Sequence, residues 1–263
     1  LSGTEIRIYM AVKNWSMEWG GRTLSVEVGK LALQANSSCT VRYGDTVILA
    51  TATISKNTRD GIDFLPLMVN FEEKLYAAGK IKGSRFIKRE GRPTEEATLS
   101  GRLVDRAIRP LFDENLRKDV QVILTALSFD GEVDSQIPAM IAASIALTIS
   151  PIPWKGPIAG VRVGQIDGKW KINTTISERA ISATDIVVAG TPEKVIMVEA
   201  GCNETSEDDV VAAMQFGAGE MAPVLDFINK IQKEVGQTKY DLSGNGDEKE
   251  VELQKAEKEA IEL

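Results

Sequence analysis

The residues best suited to chemistry lie in one basic segment, Lys80 to Phe112. The segment contains nine Lys and Arg residues against four acidic ones, although the whole chain carries a net charge of −7. Its first half is rich in glycine and mixes cations with one aromatic residue: GKIKGSRFIKREGRP, from Gly79 to Pro93. Cations neutralise phosphates and an aromatic ring stacks on a base, so this composition favours single-stranded nucleic acid. The alternative is a solvated charged loop without a ligand.

The second half of the segment is predicted to form a helix from Thr94 to Arg109. At helical spacing, its apolar residues cover one half of the circumference and face the core: Leu99, Leu103, Val104, Ala107 and Ile108. Arg102, Arg106 and Arg109 follow at i, i+4 and i+7 on the other side. Three neighbouring guanidinium groups repel each other unless an anion faces them, which predicts a surface for phosphate or RNA. The alternative is a structural network in which nearby acids neutralise the three arginines.

The composition removes several kinds of catalytic site. There is no histidine, which excludes the triads that use it and most zinc sites, so catalysis would need carboxylates, Lys, Arg, Ser or Tyr. The two cysteines, Cys39 and Cys202, are too few for a disulfide framework and are predicted to be buried thiols in a reducing cytoplasm. No apolar run reaches about 18 residues and no secretory signal pattern is visible, so we expect no membrane partner.

The order of the predicted elements defines an α+β fold of two lobes. Strands are predicted at 22–28, 39–42, 46–54, 64–71 and 120–129, with Pro66 placing the fourth near a sheet edge or at a bulge. A helix capped by Asp134 completes this group, and a smaller group has strands at 158–165, 169–173, 185–189 and 195–199 and a helix to Val235. We divide the chain into an N-terminal extension (1–14), a first lobe (15–152), a second lobe (153–238) and a linker with the start of a helical domain (239–263). A helix that ends at Leu263 soon after it begins favours a piece of a larger protein.

Several motifs resemble the first RNase PH-like domain of the polynucleotide phosphorylase family. NFEEKLYAAGKIKGSRFIKREGRP and RLVDRAIRPLF carry the resemblance, and YGDTVILATAT, GPIAGVRVG and DIVVAG extend it over nearly the whole chain. The chain departs from the family's loop pattern by Lys82 in place of proline and by one extra residue near Arg85. The implied fold is RNase PH-like, of the ribosomal protein S5 domain 2-like type, followed by the start of an all-α domain.

This resemblance implies a polyribonucleotide nucleotidyltransferase, a homotrimeric ring through which single-stranded RNA passes. Inorganic phosphate attacks the 3′ end and releases nucleoside diphosphates, reversibly. The implied RNA-binding residues are Phe86, Lys88, Arg89 and Arg92, while Arg102 and Arg106, in the stripe that includes Arg109, face RNA or phosphate. Mg²⁺ as cofactor of the intact enzyme, a cytoplasmic location and association with an RNA-degradation complex are also implied.

The resemblance separates this chain from the family's catalytic half. In that half, a serine-rich turn holds phosphate and a D-x5-D-x-K array holds Mg²⁺; here the turn is Asp134-Ser135-Gln136, and Arg179, Asp185 and Val187 occupy the array. An aspartate repels phosphate, and one carboxylate beside an arginine is a poor Mg²⁺ site. We therefore expect an RNA-binding, ring-forming half of a phosphorolytic 3′-to-5′ exoribonuclease, with no catalytic or metal-binding residue of its own. A stand-alone RNA-binding or assembly module is the alternative, followed by an active RNase PH-like enzyme.

Overall fold

The computed structural model describes residues 11–58, 61–81 and 92–241. Phe86, Lys88 and Arg89 lie outside these ranges, as does the helix predicted after Val251. The first lobe contains β1 (Lys13–Trp19), β2 (Arg22–Val28), β3 (Ser37–Tyr43), β4 (Thr46–Thr58), β5 (Leu67–Glu73), α1 (Glu95–Ile108), β6 (Lys118–Ser128) and α2 (Gln136–Ile149). The second lobe contains β7 (Ala159–Ile166), β8 (Lys169–Ile172), α3 (Ile176–Arg179), β9 (Thr184–Gly190), β10 (Val195–Cys202) and α4 (Glu207–Val235).

The strands form one sheet in each lobe. The first sheet has the order β1-β2-β3-β4-β6-β5, and the second has the order β10-β9-β7-β8. β5 lies at a sheet edge, as Pro66 predicts, because proline has no N–H to donate to a second neighbour. β1 begins at Lys13, so residues 13 and 14 belong to the first sheet rather than to an N-terminal extension. The predicted α+β architecture is therefore observed, with an additional strand at the N-terminal edge.

Short-range turn signals set the register of the hairpins. Tyr43 pairs with Thr46 across the turn between β3 and β4, and Ile166 pairs with Lys169 across the turn between β7 and β8. The second turn contains Asp167 and Gly168, both at positive φ, which matches the backbone twist that two-residue hairpins need. These local sequences therefore fix which residues of each strand face the core.

Helix α2 lies at the centre of the molecule. Every residue from Ile137 to Ile149 is buried, as expected for a helix that is apolar on all sides. It packs on β3 and β4, on α1, and on β7 and α4 of the second lobe. Its first turn is capped from one residue further upstream than usual, because Asp134 Oδ1 accepts the N–H of Gln136 at 2.8 Å while Ser135 is the N-cap residue.

The two cysteines differ in environment. Cys39 is buried and its thiol donates to the carbonyl of Ala142 at 3.4 Å; burial raises the pKa of this thiol to about 12. Cys202 is exposed at the end of β10, so the prediction that both thiols are buried is wrong for Cys202. Its strand lies at the edge of the second sheet, where one side of the backbone has no neighbouring strand among the described residues.

Helix α4 contacts the second sheet through a glycine. A Cβ added to Gly217 would lie 2.8 Å from Val163 Cγ2 and 3.0 Å from Val161 Cγ2. Both contacts are closer than packed carbon atoms tolerate. By contrast, a Cβ added to Gly219, two residues later in the same helix, has no described atom within 4 Å. The helix therefore needs glycine at the first position only.

We expect the substitutions Gly217→Ala and Gly219→Ala to change stability in opposite directions. Gly219→Ala should raise the free energy of unfolding by about 0.5–1 kcal/mol, because alanine has the higher helix propensity. Gly217→Ala should lower it by about 1 kcal/mol or more, because the added methyl group overpacks the contact with β7. Urea unfolding followed by circular dichroism measures both values, and equal stabilisation by the two variants would contradict the packing described here.

Candidate nucleic-acid interface and adjoining cleft

A cleft of about 880 Å³ opens at the carboxyl ends of β5 and β6. These two strands are the only parallel neighbours among the described strands, and the connection between them contains the basic segment and α1. Glu73 at the end of β5 lines the cleft, as do Ala126 and Phe129 near the end of β6. The carboxyl ends of parallel strands are favoured ligand positions, because the loops that follow the strands converge there.

The glycine-rich first half of the basic segment, Gly79 to Pro93, is flanked on both sides by residues attached to this edge of the sheet. After β5, a 3₁₀ turn at Leu75–Ala78 places the carbonyl of Ala77 3.0 Å from the N–H of Phe129, which follows β6. Before α1, the Thr94 hydroxyl donates to Glu73 Oε2 at 2.8 Å and accepts the N–H of Ala97 at 3.0 Å, which caps the helix. The sequence between these two attachments therefore leaves and re-enters the fold beside the cleft.

Two arginines and two aspartates form an ionic network at one wall of the cleft. Arg162 on β7 is 2.7 Å from Asp185 and 3.0 Å from Asp134, with its side chain only 7% exposed. Arg179 at the end of α3 is 2.7 Å from Asp134 and 3.1 Å from Asp185. Arg162 also donates to Gln136 Oε1 at 2.6 Å. Each carboxylate therefore contacts two guanidinium groups, as burial of charge requires.

These residues do not fit Mg²⁺. Mg²⁺ needs carboxylate, phosphate or water oxygens in octahedral geometry, whereas the oxygens of Asp134 and Asp185 receive hydrogen bonds from Arg162 and Arg179. Within residues 11–58, 61–81 and 92–241, no group of three or more His, Cys, Asp and Glu residues is placed to hold a metal ion. The same pairing occupies the arginine donors that a phosphate would need.

Sequence reasoning identified three members of this network and missed the most buried one. Asp134, Arg179 and Asp185 were singled out by their positions in the motifs, but Arg162 was read only as part of a strand. The available signal was a single arginine inside the otherwise apolar run AGVRVG. A charge on a buried strand indicates a partner from another element, although the sequence does not say which one.

The three stripe arginines have different environments. Arg109 forms a two-pronged pair with Asp105 at 2.7 and 3.0 Å and donates to the carbonyl of Leu67 at 3.0 Å. Arg109 is therefore neutralised by a nearby acid, as in the alternative of a structural network. Its role in facing RNA or phosphate stays a prediction. Arg106 contacts Glu199 of β10 at 2.9 Å, with both side chains more than half exposed.

Arg92 and Arg102 are also exposed. Arg92 is the first described residue after the gap in the basic segment, and Arg102 lies on the solvent side of α1. Their roles in RNA binding stay predictions, as do those of Phe86, Lys88 and Arg89. Arg92 and Arg102 have access to solvent in common.

Leu99 corrects the predicted core face of α1. Leu103, Val104, Ala107 and Ile108 are buried as predicted, but Leu99 is 58% exposed and lines the cleft. It lies three and seven residues before Arg102 and Arg106, so the three share one side of the helix. Near its start, α1 therefore presents an apolar side chain to the cleft in addition to those that it packs against the core.

The comparisons with known proteins agree with this architecture. A model described as 3′ exoribonuclease family, domain 1, matches residues 20–153, and one for domain 2 matches residues 156–220. A crystal structure of rice Rrp46 superposes with a TM-score of 0.63 at 16% identity, covering 87% of this chain and 99% of that one, which supports the fold alone. The chain belongs to the 3′ exoribonuclease family, and its RNase PH-like fold is confirmed.

Among curated proteins, this chain is similar to polyribonucleotide nucleotidyltransferases. The protein from Halalkalibacterium halodurans is 52% identical over 228 residues, which cover 87% of this chain and 32% of that protein. The protein from Alkaliphilus oremlandii is 51% identical over 230 residues, which cover 88% of this chain and 32% of that protein. The chain thus spans about a third of the length of these relatives. None of the described helices is both long and apolar enough to cross a membrane.

We expect Arg162→Met to destabilise the fold much more than Arg42→Met. The first change removes the more buried of the two guanidinium partners of Asp134 and Asp185, leaves both carboxylates to Arg179 alone, and should cost roughly 3 kcal/mol. The second removes an exposed contact with Asp45 and should cost about 1 kcal/mol or less. Chemical unfolding of both variants provides the comparison, and equal losses would show that the buried network adds little to stability.

Proposed function

We propose that this chain is the RNA-binding, ring-forming N-terminal half of a phosphorolytic 3′-to-5′ exoribonuclease and lacks a phosphate and metal site of its own. The observation that carries the second part is the pairing of Asp134 and Asp185 with Arg162 and Arg179. The carboxylates have guanidinium partners where Mg²⁺ would need open oxygens, and the guanidiniums have carboxylate partners where phosphate would need open donors.

The intact enzyme, in this proposal, is a polyribonucleotide nucleotidyltransferase. A phosphate oxygen attacks the last phosphodiester of RNA, the bond to the 3′ oxygen breaks, and a nucleoside diphosphate leaves while the shortened RNA regains its 3′ hydroxyl. Mg²⁺ and the attacking phosphate are held outside this chain, in a second RNase PH-like half. The names of the curated relatives and the third of their length that this chain matches support this division. A cytoplasmic homotrimer that joins an RNA-degradation complex is the assembly we propose.

The proposed RNA path follows the basic segment and then α1. Phe86, Lys88, Arg89 and Arg92 contact the single strand, and Arg102 and Arg106 contact its phosphates further along. The exposure of Arg102 and Arg106 supports this path, whereas the internal contacts of Arg109 give it a supporting role. Contact with about four to six phosphates gives a slope of log affinity against log salt of about −3 to −4 for a single strand.

The first expected outcome is that the isolated chain releases no ADP from poly(A) in the presence of phosphate and Mg²⁺. The reason is that Asp134 and Asp185 are already paired with Arg162 and Arg179. The full-length relative from Halalkalibacterium halodurans provides the positive control under the same conditions. ADP release by the isolated chain at a rate near that of the control would overturn the assignment of the chain as non-catalytic.

The second expected outcome concerns Arg102 on α1 and Glu199 on β10, the partner of Arg106. Arg102→Gln should weaken binding of oligoadenylate and reduce the magnitude of the salt slope by about 0.7, because one phosphate contact is lost. Glu199→Gln should have the opposite effect, since it frees Arg106 from its partner at 2.9 Å. Fluorescence anisotropy over a range of salt concentrations measures both. If neither variant changes the slope, α1 is not part of the RNA path.

A further inference from the structure

We propose that the cleft at the carboxyl ends of β5 and β6 is a nucleobase-binding site, which takes an unpaired base of RNA or the base of a free nucleotide. This inference rests on the proposed RNA-binding function and assigns a separate role to the cleft. The ionic wall described above leaves the cleft without open arginine donors for phosphate, so its remaining surface determines what it can bind. That surface carries apolar side chains beside Lys80, Glu73 and Glu96.

Three exposed apolar side chains lie together at this cleft. Leu75, Leu99 and Ile176 line it although all three are exposed to solvent. Tyr76 is not itself a lining residue, but it lies beside the cleft on the 3₁₀ turn, between the lining residues Leu75 and Ala77, and is 60% exposed. Apolar groups exposed together in a concave surface indicate a binding site rather than scattered surface residues. The flat face of a base is the part of a nucleotide that such side chains contact favourably.

The turn that carries Tyr76 is held in place. The N–H of Ala77 donates to the carbonyl of Lys74 at 2.9 Å, and the N–H of Lys80 donates to the carbonyl of Leu75 at 2.9 Å. The N–H of Gly79, at φ 67°, donates to the carbonyl of Tyr76 at 3.0 Å. Because the backbone is fixed on both sides of Tyr76, stacking of a base on its ring does not require the turn to be ordered first.

The size and polar groups of the cleft also suit a base. A volume of about 880 Å³ is within the range of small-molecule sites. Ser135 lines the cleft, and its hydroxyl does not cap α2, so it is available to the edge of a base. The four carboxylates and three cations among the lining residues nearly balance, which favours an uncharged group over a phosphate.

The position of Leu99 connects the cleft to the proposed RNA path. Leu99, Arg102 and Arg106 lie on one side of α1, and Leu99 is the one at the cleft. A strand whose phosphates contact Arg102 and Arg106 therefore passes the cleft opening. A base turned out of that strand reaches Leu99 and Tyr76 while its backbone stays on the arginines.

The test compares five linked adenosines with the same sugar–phosphate backbone without bases, both carrying a 5′ dye, by fluorescence anisotropy on the 263-residue chain. Leu99→Ser and Tyr76→Ser should each weaken binding of the base-containing strand by about fivefold or more. Neither should change binding of the base-free strand. Val211→Ser, an exposed apolar position on α4 away from the cleft, is the matched control and should change neither. Since Leu99 and Tyr76 are exposed, the variants should fold, which their melting temperatures verify.

Adenosine 5′-monophosphate, ribose 5-phosphate and inorganic phosphate serve as competitors. If adenosine 5′-monophosphate displaces the strand and the other two competitors do not, and if Leu99→Ser abolishes this displacement, the site is supported. A free nucleotide is then one of its occupants. If the Leu99 effect requires bases but the monophosphate does not compete, the site is supported and its occupant is a base within a strand. If Leu99→Ser and Tyr76→Ser behave like Val211→Ser, the proposal is overturned, even where salt-dependent binding through Arg102 persists. If the unchanged chain binds neither strand, the RNA-binding proposal fails, and this one fails with it.

Discussion

Burial of α2 on every side is the constraint on which the rest of the structure depends. A helix that is apolar around its whole circumference must be covered on all sides, and neither sheet covers it alone. The first sheet and α1 cover part of it, while β7 and α4 cover the remainder. This arrangement brings the start of α2 against β7, so that Asp134 contacts Arg162, which also contacts Asp185 on β9. The ionic network is thus a consequence of how the two lobes enclose one helix.

The sequence predicted those elements of the fold that depend on residues close together in the chain. Alternating strands and the edge position after Pro66 are short-range signals, and each was found close to its expected place. The parallel pairing of β5 and β6 was not predicted, because it depends on how the connection through α1 returns to the sheet. Strand β1 was missed although Trp15, Met17 and Trp19 alternate with polar residues, so the signal for this strand was present in the sequence.

The same limit applied to the charged residues of the site. Arg102 and Arg109 look alike in the helical pattern. However, Arg109 donates to Asp105 and to the carbonyls of Leu65, before β5, and Leu67, at its start, whereas Arg102 faces solvent. Arg162 contacts residues 28 positions upstream and 23 positions downstream in the chain, which no periodicity can indicate. Residue type therefore identified which chemistry is available, and tertiary contacts determined which arginines are engaged in structure.

The attachment of the basic segment at both ends has a consequence for sequence change. The carbonyl of Ala77 and the side chains of Thr94 and Glu73 tie its flanks to the ends of two adjacent strands, while the strand register is fixed elsewhere, by hairpins and by α2. A residue gained or lost between these ties costs little, since loop closure depends only weakly on length. The extra residue near Arg85 is such a change. The length and sequence of this segment can thus vary among relatives while the supporting scaffold stays constant.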